Sequence, residues 1–115
     1  MSVTIYHNPR CSKSRQTLEI IRNQGIEPEI VEYLDTPPSA NKMKQLLTML
    51  DMEPEQIMRK SEAIYKELGL KDSNLNKTEL IKTLVENPKL IERPIVTNGD
   101  KAALGRPPQN VLDIL

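Results

Sequence analysis

Two short apolar stretches with one amphipathic helix between them constrain this chain more than any other feature. Val3-Thr4-Ile5-Tyr6 alternates as a strand does, and Ile30-Val31-Glu32-Tyr33-Leu34 reads as a second strand. Between them Leu18, Ile20 and Ile21 give a helix its buried face. Strand, helix and strand within about thirty residues make a βαβ unit, with parallel strands and a right-handed crossover expected. Asn8-Pro9 marks the turn into the helix and Asn23-Gln24-Gly25 its stop, with Gly25 suited to the left-handed position beyond the last turn. The only cysteine, Cys11, therefore falls at or just before the first helical turn. Backbone N–H groups there lack partners, and the helix dipole adds positive charge, so an anion is favoured at that point. With Arg10, Lys13 and Arg15 nearby, the thiol pKa is expected to fall from about 8.5 into the range of roughly 3.5–7.5. A lone cysteine in a small domain is more often a buried hydrophobe. Here the neighbours are polar or basic and no apolar residue follows until Leu18, which makes Cys11 the candidate nucleophile.

From Ser39 to about Asn87 the pattern turns helical, as an insert. Ser39 is expected to cap a helix burying Met43, Leu46, Leu47 and Leu50, and Asp51-Met52-Glu53-Pro54 ends it. Ser61 is expected to cap a segment with Ile64, Tyr65 and Leu68 inside, closed by Gly69. Asn76-Lys77-Thr78-Glu79 has the form of a capping box for a last helix burying Leu80, Ile81, Leu84 and Val85. Arg93-Pro94-Ile95-Val96-Thr97 then reads as a third strand and Lys101-Ala102-Ala103-Leu104 as a fourth. Asn98-Gly99 between them is the usual pair of a type I′ hairpin. Gly105-Arg106-Pro107-Pro108 leads into a final helix with Val111, Leu112 and Leu115 on its inner face.

At 115 residues, with neither repeats nor a linker, this is expected to be one domain, 1–115, carrying a helical insert at about 39–87. Formal net charge is zero, and there is no Phe or Trp and only 3 Tyr, so neither nucleic acid nor an anionic membrane is an expected partner. The N-terminus lacks a signal-peptide pattern and no apolar run approaches the ~18 residues of a membrane span, so a cytoplasmic protein is expected. One cysteine cannot form an internal disulfide. Any oxidised form or adduct of Cys11 must therefore be resolved by a thiol from outside, and Ser14 stands where a C-x-x-C enzyme has its second sulfur.

Set aside the insert, and βαβ–ββα with a cysteine at the first helix N-terminus is the arrangement of an α/β, thioredoxin/glutaredoxin-like four-stranded mixed sheet. Over essentially its whole length the chain resembles the glutaredoxin-coupled arsenate reductases. The matching stretches are Ile5-Tyr6-His7-Asn8-Pro9 with Cys11, Ser14-Arg15-x-Thr17-Leu18, Tyr33-Leu34 with Pro37-Pro38, Arg59-Lys60, Glu92-Arg93-Pro94-Ile95-Val96, and Gly105-Arg106-Pro107. The resemblance implies that the Cys11 thiolate attacks arsenate while Arg59, Arg93 and Arg106 hold the oxyanion. Arginine's planar fork suits a tetrahedral oxyanion on independent grounds. It further implies that His7 and Ser14 favour the thiolate and that Arg93-Pro94 is a cis-proline site facing the cysteine. Arg10, Ser12 and Lys13 replace the smaller residues usual around that cysteine, and the chain ends at Leu115 without a C-terminal extension, which suggests a separate, short branch.

The function expected on this resemblance is reduction of arsenate, or a related oxyanion, to arsenite through a cysteine–arsenate intermediate. Glutathione is the implied co-substrate and glutaredoxin the implied partner, with no metal and no tightly bound cofactor. With no surplus apolar face, a monomer is expected. Two alternatives stand beside this reading: a monothiol glutathione–disulfide oxidoreductase using Cys11, and a non-catalytic regulator of the Spx type. The C-x-x-C switch often found in the latter is replaced here by Ser14.

Overall fold

In a computed structural model, which describes residues 2–115, the chain divides into two compact units. The first runs to Thr36 and resumes from Arg93 to Leu115; the second is Pro37–Glu92.

The first unit is built on four strands, β1 (Val3–Tyr6), β2 (Glu29–Val31), β3 (Ile95–Asn98) and β4 (Lys101–Leu104), in the order β2-β1-β3-β4. β1 and β2 are parallel and joined through helix α1 (Ser12–Asn23), while β3 runs antiparallel to both β1 and β4. This mixed α/β sheet is the expected thioredoxin-like arrangement. Ile5 and Val96, on the two central strands, are fully buried and cluster with Leu18 and Ile21 of α1. Each such side chain contributes about 1.5–3 kcal/mol of hydrophobic stabilisation.

Three local expectations are corrected. The second strand stops at Val31, because the Glu32 carbonyl accepts from the N–H groups of Asp35 and Thr36 and turns the chain through Tyr33. The β3–β4 loop is Gly99-Asp100, not Asn98-Gly99, since Asn98 still pairs with Lys101. Gly99 takes a positive φ (63°) and Asp100 does not, which is the φ pattern of a type II′ turn. The C-terminal segment Pro108–Ile114 is a 3-10 helix rather than an α-helix. Its three-residue period puts Pro108, Val111 and Ile114 on one face, so Val111 is buried while Leu112 is 45% exposed.

The second unit holds α2 (Ala40–Leu50), α3 (Ala63–Glu67) and α4 (Lys77–Glu86), with short 3-10 turns between. Ser39 caps α2 by accepting from the Lys42 N–H at 3.1 Å, and Asp51 ends it in the left-handed conformation. Asn76 and Glu79 form the capping box of α4. Met43, Leu46, Leu47, Leu80, Ile81 and Leu84 are buried as expected; Leu50 and Val85 are only partly so. Around α3 the reading fails. Glu62, not Ser61, precedes the helix, no residue of α3 is buried, and Leu68 is 46% exposed while Leu70 goes inside. A helix of five residues is too short to present a continuous apolar face. Among the described residues, no helix is long and apolar enough to cross a membrane.

Candidate active site

The sheet register gathers one end of the first unit. Tyr6 is opposite both Val31 and Ile95, and Ile95 is opposite Leu104. The chain therefore leaves β1 towards His7 and Cys11, leaves β2 towards Tyr33, enters β3 from Arg93-Pro94 and leaves β4 towards Arg106, all at the same end.

Between β1 and α1 the backbone turns on Asn8, whose carbonyl accepts from the Cys11 N–H at 3.0 Å and whose Oδ1 accepts from the Arg10 N–H at 3.0 Å. Cys11 is the N-cap of α1, with φ −93° and ψ 123°, and its carbonyl accepts from the Arg15 N–H at 3.0 Å. Cys11 thus stands at the N-terminus of α1, as expected, although its side chain makes no capping hydrogen bond there. Burial pushes the Cys11 thiol up. The Ser14 N–H, the Arg93 guanidinium and the Lys13 N–H more than offset this by stabilising the thiolate, leaving it below its ordinary value. The side-chain cation responsible is Arg93, not one of the basic residues beside the cysteine in sequence. Lys13 contributes through its backbone, and Arg15 donates to the Pro9 carbonyl at 2.9 Å.

Ser14 is fully buried, and its Oγ accepts from the Asn8 N–H at 3.0 Å. It also pairs with His7 Nδ1 at 2.6 Å, so the hydroxyl proton can go to a neutral imidazole. Burial holds the His7 pKa below its ordinary value; Arg22 and Arg15 act in the same direction, against Glu32.

The Arg93 guanidinium interacts electrostatically with Cys11 and Tyr33. Its pKa is raised: burial opposes the charge, but Cys11 and Tyr33 favour it more. The Arg93–Pro94 peptide is cis, as the resemblance implied, and the Pro94 carbonyl accepts from the Gly105 N–H at 2.9 Å. Arg106 joins this group through its Nη1, which donates to the Arg93 carbonyl at 3.4 Å. Arg59 lies in the second unit. There its Nη1 donates to Glu92 Oε1 at 3.3 Å, and its Nε is 3.5 Å from Glu62 Oε1. Of the residues singled out from sequence, then, the first unit brings together Cys11, Arg93, Arg106, His7, Ser14 and Pro94.

Tyr33, which the sequence places in an apolar run and in a matching stretch, is buried within electrostatic reach of Arg93. Among the described residues, no group of three or more His, Cys, Asp or Glu side chains is placed to hold a metal ion.

The profile of the ArsC family matches residues 6–114. This chain belongs to the ArsC family. It is 53% identical to the uncharacterised Escherichia coli protein YfgD, over 98% of this chain and 96% of that one. It is 49% identical to the arsenate reductase of Haemophilus influenzae over the full length of both. An arsenate reductase structure from Vibrio cholerae, 52% identical, superposes with a TM-score of 0.96 over 100% of this chain and 98% of that one. Like these ArsC-family relatives, the chain is matched as a whole, so the resemblance first drawn from scattered motifs holds from β1 to the terminal 3-10 helix.

Proposed function

We propose that this ArsC-family chain is a cytoplasmic, monomeric arsenate reductase that uses glutathione as co-substrate and glutaredoxin as partner. The observation that carries the reading is the Cys11 thiol, held below its ordinary pKa at the start of α1 against Arg93. In the proposed sequence, the Cys11 thiolate forms a sulfur–arsenic bond and hydroxide or water leaves. Arg93 and Arg106 stabilise the oxyanion, with Arg59 as the third donor in the family pattern. Glutathione thiolate then attacks the Cys11 sulfur. The sulfur–arsenic electron pair leaves with arsenic, reducing arsenic(V) to arsenic(III), and arsenite departs. The resulting Cys11–glutathione disulfide passes its glutathione to glutaredoxin, which regenerates the thiolate. His7 and Ser14 support the thiolate by fixing the turn around it. No tightly bound cofactor takes part.

The test is arsenite release in the presence of glutathione and glutaredoxin. Cys11→Ser is expected to abolish it, and Arg93→Ala to lower it on the order of 10²-fold, as for loss of one oxyanion donor. Arsenite release that survives Cys11→Ser would refute the mechanism. Cys11 is the only thiol and Ser14 is committed to His7 and Asn8, an observation that also fits monothiol exchange. Turnover on a glutathionylated peptide with none on arsenate would identify that activity instead.

A further inference from the structure

His7 is only 6% exposed, yet it lines a cavity of about 540 Å³ beside α1. That volume falls within the roughly 300–1,000 Å³ usual for small-molecule sites. The Nδ1 of His7 is taken by Ser14 Oγ at 2.6 Å. Ser14 is fully buried and its Oγ already accepts from the Asn8 N–H, so the hydroxyl proton is directed to Nδ1. A neutral imidazole that accepts at Nδ1 carries its own proton on Nε2. Among the described residues no other hydrogen bond engages the ring, and Nε2 is not sealed from solvent. The Nε2–H is therefore a donor without a protein acceptor, opening into the cavity that His7 lines.

The remaining walls say what such a donor could meet. Arg15 and Glu19 stand one turn apart on α1, both exposed and both lining the cavity. Opposite charges at that spacing can pair. Among the described residues these two do not: Arg15 donates to the Pro9 carbonyl through Nη1 and keeps its other donors, while Glu19 has no ion-pair partner. Arg22, on the same wall, is already offset by Glu27 at 3.0 Å. Pro9 and Leu18 add apolar surface. The cavity thus presents one unpaired cation, one unpaired anion and a neutral donor. A bare anion gains little from so balanced a wall, whereas a molecule carrying both charges finds a partner for each.

We propose that this cavity binds a small zwitterion of the α-amino acid type, its carboxylate on the His7 Nε2–H and Arg15 and its ammonium on Glu19. The assignment is independent of the arsenate reading, since neither Cys11 nor Arg93 lines the cavity.

His7 is the only histidine, so nitrogen NMR reads its ring without ambiguity. In the neutral ring the proton is expected on Nε2, and the reverse tautomer would overturn the proposal. L-Leucine is then titrated at constant ionic strength, beside acetate, which carries the carboxylate alone. Leucine is expected to move the Nε2 resonance saturably, and acetate to do so more weakly. Glu19→Gln is expected to weaken leucine binding about two- to fivefold, the size of one exposed ion pair, without weakening acetate. Arg15→Gln is expected to weaken both. Both substituted positions are exposed, and the titration of the unsubstituted protein stands apart from either variant's folding. No saturable shift with leucine, a response to acetate as strong as that to leucine, or a leucine response indifferent to Glu19 would overturn the proposal.

Discussion

Ser14 does two jobs with different atoms. Its N–H faces the Cys11 sulfur, while its Oγ joins the Asn8 N–H to His7 Nδ1. Ser14→Ala keeps the first and deletes the second, leaving two buried polar groups without their partner. A loss of about 1–3 kcal/mol in urea unfolding is expected. His7 gives a pH dependence of definite sign. Its folded pKa lies below the ordinary value, with burial the largest cause, so below about 6.5 the unfolded chain binds a proton that the folded one does not. Stability should therefore fall as pH drops through that window and level off below the folded pKa. His7→Asn should flatten this slope in unfolding curves measured between pH 7 and 5. At this scale the cysteine was legible because it stands alone among polar neighbours at a strand–helix junction. The cation that serves it was not, since Arg93 is remote in sequence and only the sheet brings it close; the basic residues beside Cys11 were a misleading signal.

Among the elements, those with a strong local signature were read correctly. The Ser39 cap, the Asn76–Glu79 box and the helical spacing of α2 and α4 depend only on near neighbours, so local chemistry settles them. Where local signals are balanced, tertiary context decides. The hairpin moved by one residue because cross-strand pairing extends to Asn98, and the terminal helix tightened to a three-residue period that expels Leu112. Gly105 shows a constraint that no pattern announces. A Cβ there would meet Thr17 Oγ1 at 2.5 Å and Pro94 Cγ at 2.7 Å. Gly105→Ala should thus force apart α1 and the Arg93-Pro94 segment, with a loss of about 1–3 kcal/mol measurable by urea unfolding.

For the molecule as a whole, βαβ–ββα order was legible because strand and helix periods alternate cleanly, and that order dictates which loops share an end of the sheet. Cys11, Tyr33, Arg93 and Arg106 belong to four separate segments, and it is parallel β1–β2 pairing and antiparallel β1–β3–β4 pairing that carries all four to one edge. The molecule's net charge of zero plays no part in this; placement of single charges does. The proposed chemistry accordingly requires that the fold keep one sulfur ionised near neutral pH. Its most direct test is the ultraviolet thiolate absorbance of the folded protein, titrated with Cys11→Ser as the blank. A transition midpoint clearly below the ordinary thiol value of about 8.5, moving upward in Arg93→Ala, is the predicted result. A midpoint at or above that value, indifferent to Arg93, would contradict it.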